Sequence, residues 1–188
     1  MKVVVAITGA SGIAYGVRLC QELSRQKGVQ LDIVVSDGAK LVMDYEMAGR
    51  KKTMASLAKC AKVWDEDAVF APFASGSNAP DAFIVCPCSM KTLAAIAHGY
   101  SHNLITRGAE VALKERKKLV ILPREMPIST IQLENMYRLS LAGAVIMPPQ
   151  PAFYNEPKDL DDIINFIVGK VLDSIGIKST LYKRWDSK

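Results

Sequence analysis

The run Val3 to Ile7 is β-branched and apolar on both faces, and it ends in Thr8-Gly9-Ala10-Ser11-Gly12 directly before a segment of helical period. A strand with no polar face must be covered from both sides, which a parallel sheet between two helix layers achieves. The same alternation recurs along the chain. Ile13 to Arg25 carries Val17, Leu19, Cys20 and Leu23 at near-helical spacing, Leu31 to Ser36 is a second buried strand, and Ala39 to Met47 a second helix. Further on, "AFIVC" (82–86), "LVILP" (119–123) and "AVIM" (144–147) predict strands, and 89–97, 104–115, 130–141 and 160–175 predict helices. Gly49 to Asp67 is less regular, and "FAPFASGSNAP" (70–80) reads as a small-residue loop long enough to suggest function. The expected fold is doubly wound α/β, one domain over residues 1–188 with a C-terminal tail from about 177.

Several function classes drop out on composition. With 188 residues, nearly half of them hydrophobic, the chain can bury a full core. No stretch reaches the roughly 18 to 20 apolar residues that a bilayer span needs, and the N-terminal run enters a glycine turn rather than a signal-peptide cleavage site. A soluble, cytoplasmic protein is expected, with no membrane contact. Its four cysteines, Cys20, Cys60, Cys86 and Cys88, are then expected to be reduced. Net charge is only +5, and Lys114 to Lys118 is the one dense basic run, with no aromatic residues interleaved. That balance suits an anionic small ligand rather than nucleic acid.

Ligands of doubly wound sheets bind outside the carboxyl ends of the strands. The informative stretches are therefore "TGAS" (8–11), "SDG" (36–38), "PCSMKT" (87–92), "PREMP" (123–127) and "PPQPAFY" (148–154). In the first, Ser11 stands where a dinucleotide fingerprint has its second glycine, so its hydroxyl suits a single phosphate or a flavin edge, or else it caps the helix. Ser36 adds a second hydroxyl, while Asp37 could be the ribose-binding acid of a nicotinamide protein. The Cys86-Pro87-Cys88 stretch has only His98 and His102 nearby and lacks a second cysteine pair, too little for zinc. Cys86 should finish the strand, Pro87 stop it, and Ser89 cap the next helix. Arg124 and Glu125 lie between two prolines, either as a surface ion pair or as an anion-binding cation and a proton donor aimed at the cleft. Arg107 and Lys114 share a helix face at a separation of seven and could clamp a phosphate, although Lys114 also reads as a solvated helix end. Tyr154 and the tail residue Trp185 offer faces for a flat ring or a cation, or anchors for their segments.

Taken together, "TGASGIAYG", "ASGS", "CPCSMKTLAAIAHG", "NLITRGAEVALKERKKLVILPRE" and "LENM…L…GAVIMPP…FY" resemble the UbiX-type flavin prenyltransferases in order and spacing, over almost the whole chain. The resemblance implies a Rossmann-like, three-layer α/β/α subunit that joins the dimethylallyl group of dimethylallyl monophosphate to N5 and C6 of reduced FMN, without metal. It implies a homododecamer with sites at subunit interfaces, and a UbiD-type decarboxylase as recipient of the prenylated FMN. By position, Gly9, Ala10, Ser11, Ser36, Ser89, Met90, Lys91, Thr92 and Arg124 would contact FMN. Tyr154 and Lys170 would bind the prenyl phosphate, with Arg107, Lys114 and Glu125 beside it, Ser75 and Glu46 lining the site, and Trp185 helping to enclose the prenyl group. Glu125, Ser11, Glu46, Lys114 and Arg107 would carry the chemistry. Many members have arginine where this chain has Lys170, which supplies charge without the bidentate fork. The competing readings are a flavin-dependent cysteine or aromatic-acid decarboxylase, whose catalytic histidine and "PxMNxxMW"-like stretch are not found, and an FMN carrier without turnover.

Overall fold

A computed structural model describes residues 1–185. The elements run β1 (Lys2–Ile7), α1 (Ile13–Arg25), β2 (Gln30–Val35), α2 (Asp37–Glu46), α3 (Arg50–Cys60), β3 (Lys62–Asp65), β4 (Ala82–Cys88), α4 (Met90–Ala97), α5 (Leu104–Lys114), β5 (Lys118–Pro123), α6 (Thr130–Leu141), β6 (Val145–Ile146) and α7 (Leu160–Ser174). All strand pairs are parallel, in the order β3-β2-β1-β4-β5-β6. The chain winds outward from β1 to β3, then returns to lay β4 against the other side of β1. The strand order thus reverses between β1 and β4, and a crevice opens there at the carboxyl edge.

Strand residues divide between the two faces by parity. Val3, Val5, Ile7, Ile84 and Cys86 join a core with α1 and α7, whereas Val4, Ala6, Phe83 and Val85 join a second core with α4, α5 and α6; Cys88, past the register shift, joins the second core too and breaks the alternation. Every β4 residue is therefore buried. The glycines of the first turn set how closely the layers approach. Gly12 has φ near +100°, where an L side chain is strained, and a Cβ on Gly16 would run into the carbonyl oxygen of Cys86. A side chain at Gly16 would push α1 off the sheet, and one at Gly12 would be strained and meet the Tyr15 ring.

The structure corrects three expectations. Residues 49–67 hold α3 and β3. The helix buries only Thr53 and Leu57 beneath a lysine-rich surface, and the strand lies at the sheet edge, so neither carries a strong period. Pro87 does not end its strand: β4 continues to Cys88 through a register shift and a cis Cys86–Pro87 bond, an irregularity of the kind that tolerates a residue without an N–H. The strand expected over 144–147 shrinks to two residues at the opposite edge. The 70–80 loop contains two single 3₁₀ turns, Pro72–Ala74 and Gly76–Asn78. All four cysteines are free thiols, and burial pushes those of Cys20, Cys86 and Cys88 up. Among the described residues, no helix is long and apolar enough to cross a membrane.

Candidate active site

Thr8 ties the two central strands together where their order reverses. Its buried hydroxyl donates to the Pro87 carbonyl at 2.8 Å and accepts from the Ser89 N–H at 2.7 Å, while its own N–H reaches the same carbonyl at 3.2 Å. Ser89 then caps α4, its Oγ accepting from the Thr92 N–H at 3.3 Å and lying 3.1 Å from the Thr92 hydroxyl. The N–H groups of Met90 and Lys91, in the first turn, have no intrahelical acceptor and point out of the helix end. Lys91 is exposed in the same turn, so this helix end offers hydroxyl and amide donors and a nearby cation to an anion.

The neighbouring helix end is already closed. Glu46, the last residue of α2, accepts from the N–H groups of Gly12 at 2.8 Å and Ile13 at 3.2 Å, so a carboxylate holds the place a phosphate would take. Ser11 is thus not the cap of α1. It lies at the rim of a cavity of about 300 Å³ with Gly12, Tyr15, Glu46, Leu160 and Ile164. Tyr15 packs against Gly12, and its phenol is pushed up by burial, then by Cys86 and Glu46, while Arg124 opposes the rise. Gly9 abuts the backbone of Gly38, which brings Ala10 alongside the start of α2. There the buried Ser36 accepts from the Ala39 N–H at 3.0 Å. Asp37 pairs with Lys40 at 2.9 Å, which keeps its carboxyl below the usual range.

Arg124 is fixed by its N–H, which donates to the Cys88 carbonyl at 3.1 Å. With Glu125, Ile128 and Pro148 to Gln150 it lines a second cavity of about 390 Å³ at the end of β5. Among the described residues, neither Arg124 nor Glu125 enters an ion pair; Glu125 Oε1 accepts only from the Met126 N–H, at 3.1 Å.

A further group gathers on α7. Tyr154 meets Phe166 edge-on at 6.1 Å and Trp185 edge-on at 5.2 Å. Lys170, exposed, follows Phe166 by four residues and so shares its helix face. Leu160 and Ile164, from the first turns of the same helix, line the Ser11 cavity.

The α5 residues lie apart. The helix starts just past the carboxyl end of β3, where the Leu104 N–H donates to the Glu66 carbonyl at 2.7 Å, and runs back about 16 Å to Lys114, close before β5 begins at the amino ends of the strands. Arg107 donates to the Ala74 carbonyl at 3.0 Å and pairs with Glu110 at 3.0 Å; Lys114 pairs with Glu115 at 2.5 Å, against Gly76. Ser75 sits in that loop, its hydroxyl 3.0 Å from that of Ser77. Within one chain, Ser75, Arg107 and Lys114 form a patch of their own, and Lys114 is at the wrong end of the sheet to face Ser11. His98 and His102 are both exposed, and among the described residues no three His, Cys, Asp or Glu side chains are grouped to hold a metal ion.

Thr8 and Tyr15 were not singled out in the sequence. Thr8 follows the first strand and could have been found as a hydroxyl at the reversal point; Tyr15 shows its place only once α1 has been packed against Glu46.

The profile of the family described as Flavoprotein matches residues 1–172. A flavin prenyltransferase UbiX of Methanocaldococcus jannaschii is 52% identical over 185 residues, 98% of each chain. A dodecameric FMN-dependent UbiX-like decarboxylase of Escherichia coli O157:H7 superposes with TM-score 0.95 at 43% identity, over 100% of both chains. AnUbiX (PadA1), solved with FMN and dimethylallyl pyrophosphate, superposes with TM-score 0.93 at 39% identity, over 100% of this chain and 98% of that one. With a β1/β4 crevice of this construction and likeness along its whole length, the chain belongs to the flavoprotein family and, within it, to the UbiX-type flavin prenyltransferases.

Proposed function

We propose that the protein transfers the dimethylallyl group of dimethylallyl monophosphate to reduced FMN, releasing phosphate and yielding prenylated FMN for a UbiD-type decarboxylase. The observation that carries this reading is the contrast between two adjacent helix ends. That of α4 is open and lined by Ser89, Lys91 and Thr92, while that of α1 is closed by Glu46. The open end favours α4 as the place for a flavin phosphate and would leave the carboxylate beside Ser11 for proton handling.

The residues present fit FMN. The α4 amides, Ser89, Lys91 and Thr92 would neutralise its phosphate, and Gly9, Ala10, Ser11, Ser36, Met90 and Arg124 would border the rest. Reduced FMN, when bound, supplies the nucleophilic N5 and C6 positions that accept the five-carbon group. The protein has to make phosphate a good leaving group from an allylic carbon. Lys170, Arg107 and Lys114 would place positive charge on the departing oxygens, Tyr154 would hydrogen-bond to them, and Glu125 would deliver a proton. Departure leaves positive charge on the allyl carbons, which the faces of Tyr154 and Trp185 would stabilise while keeping water out.

Because Lys114 lies at the amino ends of the strands, away from the carboxyl-end crevice of its own chain, the cation set is completed by a neighbouring copy in this reading. A homododecamer, the assembly described for the Escherichia coli relative, would let Ser75, Arg107 and Lys114 of one subunit reach the cleft of the next. The test is the mass of the flavin after anaerobic incubation with reduced FMN and dimethylallyl monophosphate. A gain of one five-carbon unit with release of phosphate supports the transferase; an unchanged bound flavin overturns it in favour of a decarboxylase or a carrier.

A further inference from the structure

Among the described residues the tail after α7, 175–185, holds no helix or strand, yet it returns across the helix to put Trp185 on Tyr154. Gly176, at φ near +83°, starts the reversal. Ile177, Leu181 and Tyr182 pack against the core, and the polar ties of the tail to α7 converge on one carboxylate. Asp173, in the last turn of α7, accepts from the Tyr182 hydroxyl at 2.6 Å through Oδ2 and from Arg184 Nη2 at 2.6 Å through Oδ1. The Tyr182 ring is seated against Gly169, where a Cβ would come within 2.5 Å of it, and meets Phe166 edge-on at 5.1 Å. Phe166 is also the residue on which Tyr154 packs. Trp185 itself is 76% exposed, so its own burial holds it weakly, and its place follows from the anchors one and three residues before it.

We propose that Asp173 is a positioning residue for the prenyl end of the site: by latching Tyr182 and Arg184 it sets Trp185 against Tyr154 and closes that wall. The inference rests on the reading of Tyr154 as a prenyl-phosphate residue. Three features support it. Both carboxylate oxygens are used, each by a different tail residue. The side chain is only 21% exposed, so the pair with Arg184 is shielded from solvent on the carboxylate side. Burial pushes the Asp173 carboxyl up, but the bonds from Arg184 and Tyr182 and the charge of nearby Lys170 more than reverse this, so it is ionised at neutral pH. Burial first and Asp173 second push the Tyr182 phenol up to about 12, so it stays a donor.

The test uses full-length protein labelled with 5-fluorotryptophan, which gives one ¹⁹F resonance each for Trp64 and Trp185, the former serving as an internal control. In Asp173→Asn, and in Tyr182→Phe with Arg184→Gln, the Trp185 resonance should move and sharpen toward that of a free side chain while Trp64 stays. KM for dimethylallyl monophosphate should rise about tenfold, with FMN affinity and melting temperature little changed. Asp173→Glu should restore part of both. An unmoved Trp185 resonance overturns the latch, and an equal loss of FMN affinity or of melting temperature shows a merely structural role. If the wild type prenylates no flavin, the transferase reading fails, and the ¹⁹F spectrum alone still decides whether the latch exists.

Discussion

Glu46 closes the N-terminus of α1 through its hydrogen bond from the Gly12 N–H, at 2.8 Å, across 34 residues of sequence. A charge placed on a helix dipole contributes to stability besides any part it has in chemistry. Glu46→Gln keeps the shape and removes the charge, and is expected to cost about 0.3 to 1 kcal/mol, or about 1 to 4 °C in melting temperature. Thermal unfolding without flavin checks this, and an unchanged midpoint would show that the carboxylate is not felt by the helix.

Glu125 makes no ion pair among the described residues and lines the cavity at the end of β5. If it delivers the proton to the departing phosphate, Glu125→Gln should lower kcat by about 10²- to 10⁴-fold and leave FMN affinity alone. Parallel loss of both quantities would make it a structural residue.

The separation of Lys114 from the cleft of its own chain calls for mixed oligomers. Lys114→Ala and Arg124→Ala proteins should each be nearly inactive. Unfolded, mixed in equal parts and reassembled, they should regain about a quarter of the wild-type sites, because random mixing gives each position an intact donor half the time. No recovery in properly assembled mixtures would mean that both residues act from one chain.

The latch at Asp173 has a defined pH dependence. Its folded pKa is lowered, so its stabilisation is complete above the ordinary carboxylate value and is lost as pH falls through the depressed one. The Trp185 ¹⁹F resonance should hold from pH 8 to 5 and move only below about pH 4. Movement near neutral pH would assign the change to another group.

Gly16 is expected to resist substitution. A Cβ there meets the Cys86 carbonyl oxygen, so Gly16→Ala should cost about 1 to 3 kcal/mol by denaturant unfolding and weaken FMN binding, since α1 and the Ser89 turn shift together. Full stability in that variant would mean that the helix and strand separate freely.

Much of this was legible from local sequence because the signals were themselves local. Val3 to Ile7 and Ala82 to Cys86 lack a polar face, which demands cover on both sides, and Ser36 and Ser89 each precede a helical period and do cap it. The α3–β3 segment was hidden because it buries little: a half-exposed helix and an edge strand leave a weak pattern. The Glu46 cap and the Asp173 ties join residues far from any shared period, and only packing brings them together. Arg107 and Lys114 were spaced as expected along a helix, but the direction in which α5 crosses the sheet decides which end each of them serves.

The Thr8 bonds bear on how a finished product leaves. With its hydroxyl joined to both Pro87 and Ser89, the floor of the crevice belongs to the two central strands, and opening it would mean parting the sheet. The tail, by contrast, is tied to α7 by loop packing and by the two bonds of one aspartate. An enzyme whose product is itself a cofactor must surrender it intact, and if Tyr154 and Trp185 enclose the prenyl group as proposed, the side free to yield would be the tail rather than the sheet.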